Sequence, residues 1–157
     1  MEFTIQGAPA FGFMHVDLEP GDKIITESDA MASMNSEIDM KPRLNGGLIK
    51  GLIRKFLGGE SLFINEFSNN TSNRLRLTIT QAFPGDVRLM EVKDGEKFYL
   101  QGGSFICCEP GVKMGLEWAG INSWIGGEGL FRLSMSGNGK FLIGAYGGLM
   151  EKEVNGE

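Results

Sequence analysis

A six-residue block occurs twice in this chain. Gly58-Gly-Glu-Ser-Leu-Phe63 returns as Gly126-Gly-Glu-Gly-Leu-Phe131, displaced by 68 residues. Upstream, Met31-Ala-Ser-Met34 aligns with Phe105-Ile-Cys-Cys108, Ile38 and Met40 align with Val112 and Met114, and Gly46 aligns with Gly120, all displaced by 74. Downstream, Ala82-Phe-Pro-Gly85 matches Ala145-Tyr-Gly-Gly148 at 63. Blocks in one order, separated by short length changes, mark a duplicated unit. The main length change falls where Gly47 to Leu57 shortens to Ile121-Asn-Ser-Trp-Ile125. The quasi-repeats cover about 23–92 and 97–154, and 157 residues is length for a single domain spanning 1–157.

Each copy reads as a run of short strands. Alternating or β-rich segments lie at Lys23 to Thr26, Ala30 to Met34, Glu37 to Arg43, Ser61 to Phe67, Arg74 to Thr80 and Val87 to Val92. The second copy offers Lys97 to Leu100, Phe105 to Cys108, Val112 to Trp118, Leu130 to Met135, Lys140 to Gly144 and Leu149 to Val154. Many short strands at close spacing, punctuated by glycine pairs, predict an all-β sandwich or barrel. Asp94-Gly95 and Asn138-Gly139 read as hairpin turns. Glycine is abundant, 24 residues against a usual share of about 7%, and the duplicated turns account for much of it.

One segment breaks the β pattern. In Leu48-Ile-Lys-Gly-Leu-Ile-Arg-Lys-Phe-Leu57 the apolar residues fill one half of a helical wheel, and Lys50, Gly51, Arg54 and Lys55 fill the other. This predicts one short basic amphipathic helix. It either caps the open end of a barrel or contacts an anionic membrane or an acidic partner through Lys50, Arg54 and Lys55. The second copy keeps a single-turn remnant carrying Trp124, a further candidate for that membrane or partner contact. Glu60 and Glu128 occupy the same place in both copies. They either satisfy the backbone donors of Gly-rich turns or converge as a polar site between the repeats.

The counts exclude much site chemistry. One histidine, His15, and two cysteines, Cys107 and Cys108, give too few ligands for a zinc site of His and Cys and no Ser-His-Asp arrangement away from His15. No catalytic, cofactor-binding or metal-ligating residue is therefore assigned, and no cofactor is expected. His15 sits in an alternating stretch and reads as an ordinary strand residue. Neighbouring cysteines on a strand point to opposite faces and read as buried side chains in a reducing cytosol. A formal charge of −5 disfavours a broad nucleic-acid footprint. No signal peptide and no apolar run of about 20 residues occurs, which gives a cytoplasmic expectation. The sequons at Asn69 and Asn70 then carry little weight.

The blocks quoted above, with Glu27-Ser-Asp-Ala-Met-Ala-Ser-Met34, Phe83-Pro-Gly-Asp86 and Gln101-Gly-Gly-Ser-Phe105, resemble the AIM-twenty-four family, named for altered inheritance of mitochondria. The resemblance runs from about residue 3 to 154. It implies a fold like that of TRAP, the tryptophan RNA-binding attenuation protein: stacked antiparallel sheets built from pseudo-repeats. It carries no catalytic residue or cofactor to transfer. Mitochondrial relatives are linked to inner-membrane organisation, which favours the membrane or partner reading of the Leu48–Leu57 helix. Family members usually continue into a third Gly-Gly-Glu-Gly-Leu block, so this chain resembles a shortened or truncated member.

The resulting expectation is a non-enzymatic scaffold or interaction module that forms a homo-oligomer, since strands a third unit would cover become exposed edges. The alternatives are a small-ligand or carboxylate-dependent enzyme site between the repeats, using Glu60 and Glu128, and RNA binding by analogy with TRAP.

Overall fold

The computed structural model describes residues 1–43, 64–101, 103–118 and 131–154. The Leu48–Leu57 helix expected from sequence lies outside them. Among the described residues the chain is all-β, with thirteen strands in antiparallel ladders and no helix. The first sheet runs β1 (Glu2–Gln6), β2 (Phe13–Leu18), β7 (Leu75–Thr80), β4 (Met31–Met34). The second, of six strands, runs β5 (Asp39–Arg43), β6 (Ile64–Ser68), β3 (Lys23–Glu27), β10 (Phe105–Cys108), β13 (Gly139–Tyr146), β8 (Gly85–Val92). The third runs β11 (Val112–Trp118), β12 (Phe131–Gly137), β9 (Lys97–Leu100).

Alternation along the strands decides which sheets meet. On β2 and β7, Met14, Val16, Leu18, Leu75, Leu77 and Ile79 are buried, while residues between them face away. They form one core cluster with Ile24, Phe67, Cys107 and Leu142 of the six-stranded sheet. A second cluster joins the opposite face of that sheet, through Ile25, Ile64, Cys108 and Phe141, to Leu100, Val112, Leu133 and Met135 of the third sheet. The six-stranded sheet is thus a middle layer with apolar residues on both faces. That explains β10, whose four residues are all buried, and a near-continuous apolar run is what a strand covered on both sides requires.

The adjacent cysteines follow from this layering. Cys107 enters one cluster and Cys108 the other, as period-2 alternation dictates. Both are free thiols, and burial pushes the Cys107 thiol well above its ordinary range.

Two turns differ from the sequence reading. Asp94-Gly95 and Asn138-Gly139 do not close hairpins. The first joins β8 of the middle sheet to β9 of the third, and the second joins β12 of the third to β13 of the middle. Gly95 has φ 91° and Glu96 N–H donates to the Lys93 carbonyl at 2.9 Å. The turn reverses the chain, but burial of the flanking strands in different layers decides their neighbours. Leu149 to Val154, read as a strand, forms none; Met150 and Val154 stand 85% and 80% exposed, with no ladder beside them among the described residues.

The β6–β7 connection is held by Asn69. Its buried amide donates to the carbonyls of Leu18 (2.9 Å) and Asn73 (2.7 Å), and its Oδ1 accepts from Thr71 N–H and Oγ1. That amide is fully used, so the Asn69 sequon serves a turn.

Candidate interaction surface

Away from the core, the first sheet presents a polar face. The residues alternating with its buried set are Glu2 and Thr4 on β1, His15 and Asp17 on β2, and Arg76 and Thr78 on β7. His15 lies directly opposite Thr78, and its Nδ1 shares a 3.0 Å hydrogen bond with Thr78 Oγ1. Its ring meets Phe13 edge-on at 5.3 Å. The strand role read from sequence suits these contacts.

The centre of this face is Asp17, only 8% exposed. It accepts from Arg76 Nε (2.7 Å) and Nη2 (2.9 Å) and from Arg74 Nη2 (2.8 Å). Arg74 also pairs with Glu2 and reaches Glu19 at 3.5 Å. The open groove above, of about 550 Å³, runs between β1, β2 and β7 to Asn35. The hydrogen bond from Arg76, outweighing the opposing desolvation, holds the Asp17 carboxyl below the ordinary aspartate range. The cluster is closed on itself, because the guanidinium groups that line the groove are already paired with carboxylates. It therefore stiffens the β2–β7 pair.

This gives a test. A depressed carboxyl stabilises the fold above its unfolded pKa, near 4, and that contribution fades as pH falls through the lower folded value. Asp17→Asn is expected to cost about 1–2 kcal/mol at pH 7, toward the low side for bonds to charged groups because both arginines stand half in water. Urea titrations of both proteins should converge as pH falls below about 4 and the carboxyl takes up its proton; a gap that does not narrow with falling pH would mean packing, not charge, is responsible.

Asn35 connects this face to the sheet edge. Its Oδ1 accepts from Arg76 N–H at 2.6 Å, and its own N–H donates to the Arg76 carbonyl at 3.0 Å. These two bonds clasp the end of β4 to β7. On its other side β4 has no neighbouring strand among the described residues. Ala32, Ser33 and Met34 are exposed there. A second open edge is β9, which among the described residues pairs with β12 alone. Tyr99 on β9 is 52% exposed. Beside it, Glu117 accepts from Lys97 Nζ (2.7 Å) and Tyr99 Oη (3.0 Å). The Lys97 bond, with that from Tyr99, holds the Glu117 carboxyl below its ordinary range.

The residues singled out from sequence fall elsewhere. Lys50, Arg54, Lys55, Trp124, Glu60 and Glu128 all lie outside the described residues. Among the described residues, no three or more His, Cys, Asp or Glu side chains are placed to hold a metal ion. Sequence reasoning missed Asp17, Arg74 and Arg76. The available signal was the alternation of β2, which sets Asp17 on the face opposite Met14, Val16 and Leu18, and the Arg-x-Arg spacing at the start of β7, which puts Arg74 and Arg76 on one face.

Residues 3–157 match the family model described as mitochondrial biogenesis AIM24. An uncharacterized protein of Streptococcus pyogenes serotype M6 is 28% identical over 165 residues, covering 99% of this chain and 65% of the relative. A crystal structure of a Streptococcus pyogenes protein, SPYM3_0169, superposes with a TM-score of 0.69 at 26% identity, covering 93% of this chain and 65% of that one. The chain thus spans 65% of the length of these relatives.

Proposed function

The chain belongs to the AIM24 family, and on that footing we propose that it is a non-enzymatic scaffold, a cytoplasmic module that joins proteins through the edges of its β-sheets. The observation that carries this reading is the β3–β10 ladder. There a strand from the first half of the chain takes a strand from the second, with Cys107 opposite Thr26 and Cys108 opposite Ile25. The protein already builds its middle layer by strand addition, a mode that draws affinity from main-chain hydrogen bonds and specificity from alternate side chains. Two further edges, β4 and β9, stand ready for the same use. In sequence alone, the basic amphipathic run from Leu48 to Leu57 adds a contact surface of different chemistry, suited to an anionic bilayer or an acidic partner.

Amide hydrogen exchange tests the reading. Asn35 N–H points to β7, so by alternation the Met34 N–H points to the open side. The Met34 amide and the outward amides of β9 are expected to exchange about 100-fold more slowly in material isolated natively from cells than in the dilute purified protein. Equal, fast exchange in both preparations sinks the scaffold reading.

A further inference from the structure

The strand pairing of this chain occurs twice. The run β2-β7-β4 has the same order as β8-β13-β10, and β5-β6-β3 the same as β11-β12-β9. The registers agree residue by residue. Met14 opposite Ile79 corresponds to Arg88 opposite Ile143 at offsets of 74 and 64. Met40 opposite Phe67 corresponds to Met114 opposite Met135 at 74 and 68. Even the irregularity between Met31 and Ser33 recurs between Phe105 and Cys107. The Asn35 clasp recurs too: Glu109 accepts from Lys140 N–H at 2.7 Å, and its N–H donates to the Lys140 carbonyl at 2.9 Å.

Apart from β1, which pairs with β2 and has no counterpart beside β8 among the described residues, the halves differ at one joint. In the middle sheet β3 lies against β10. Their counterparts, β9 and β4, sit at the edges of two separate sheets, with no strand beyond either among the described residues. Burial tracks the difference. β10 is buried along its length, whereas β4 leaves three of its four residues exposed. The edges β5 and β11 are of another kind. They are counterparts of each other, both are open among the described residues, and β5 carries Pro42, which has no N–H to offer a further strand.

We infer that β9 of one copy of this chain pairs antiparallel with β4 of a second copy, in the register of the β3–β10 joint. The inference rests on the edge-joining reading above and names its partner. Carried over, the register sets Ser33 opposite Leu100 and Met34 opposite Tyr99, as Cys107 faces Thr26 and Cys108 faces Ile25. The occupant is a second copy because the open edges are the two halves of one joint. What fits beside β4 is a strand placed as β3 is beside β10, and β9 is the counterpart of β3. The β4 sequence, Met-Ala-Ser-Met, carries none of the charges or prolines that keep exposed edges apart. The contact is head-to-tail, and two copies that each donate β9 to the other pair both β4 edges and both β9 edges at once.

Light scattering on the 157-residue protein at tens of micromolar is expected to give a multiple of 17.1 kDa. Like charges facing each other across the joint should weaken association roughly tenfold or more, so M34K/Y99K should move to single-chain mass at that concentration. M34E/Y99K, with opposite charges at the same two positions, should return to the assembled mass. Both sites are exposed, and circular dichroism should be unchanged in either variant. A single-chain mass for the unmodified protein overturns the inference. So does assembly that ignores M34K/Y99K, or M34E/Y99K as dissociated as M34K/Y99K. A single-chain protein whose β4 and β9 amides are nevertheless protected in native isolates has its edges filled by another occupant, a third unit or a different protein; the scaffold reading then survives and this one does not.

Discussion

Phe141→Ala should destabilise the protein by about 3–5 kcal/mol, the range for emptying a phenylalanine site in a close-packed core. Phe141 is fully buried on β13, in the middle sheet. Its ring lies 5.5 Å from that of Phe98 on β9, across the gap to the third sheet. On its own sheet it has Met90 of β8 on one side and Cys108 of β10 on the other. A cavity here opens between two sheets whose ladders fix the backbones, so the site has little freedom to collapse. For a domain of this size the loss corresponds to a fall in Tm of roughly 10 °C. Urea unfolding with an unchanged slope is the measurement. A cost below about 1 kcal/mol would mean the third sheet does not pack on the middle one as described.

Gly85→Ala is the second large effect, and it arises from backbone proximity. A Cβ on Gly85 would lie 1.9 Å from the Ala145 carbonyl oxygen and 2.8 Å from Gln81 Nε2. The glutamine side chain can swing away, but the carbonyl belongs to β13, which pairs with β8 over its whole length from Gly139 to Tyr146. Relief requires lifting the end of that ladder, so the expected cost is about 3 kcal/mol, at or above the usual upper range for overpacking. Gly148→Ala is the control. Among the described residues nothing stands within 4 Å of its added methyl, and the change should fall within about 0.5 kcal/mol of neutral. Equal stability of the two variants would show that β8 and β13 do not approach as closely as described.

The sequence made some of this legible and left other parts dark, for physical reasons. Strand positions came through because alternation is local: Val112 to Trp118 and Phe105 to Cys108 are read from residues two apart and match β11 and β10. Ladder partners in the two halves stand 74 and 68 residues apart, Met40 and Phe67 against Met114 and Met135. The sheet-to-sheet corners at Asp94-Gly95 and Asn138-Gly139 did not come through, because a turn signal says that the chain reverses and nothing about which layer the next strand enters. The Asp17 cluster was hidden for a related reason. Its partners lie 57 and 59 residues away, and only the β2–β7 register brings them together. The residues proposed from sequence as contacts, from Lys50 to Glu128, fall where length differs between the copies or beside it.

The β3–β10 seam has a consequence for what counts as a building block. The covalent chain divides the molecule between β7 and β8, but the middle sheet divides it elsewhere, drawing three strands from each side of that boundary. Neither half owns a complete sheet of that size, and each finishes its neighbour. Such an architecture is counted in seams and not in segments. A chain of n like segments closes n − 1 seams within itself and keeps one unmatched pair of half-seams, whatever n is. Lengthening the chain moves that pair to new positions without removing it, and only closure into a ring, within one chain or among several, brings the remainder to zero.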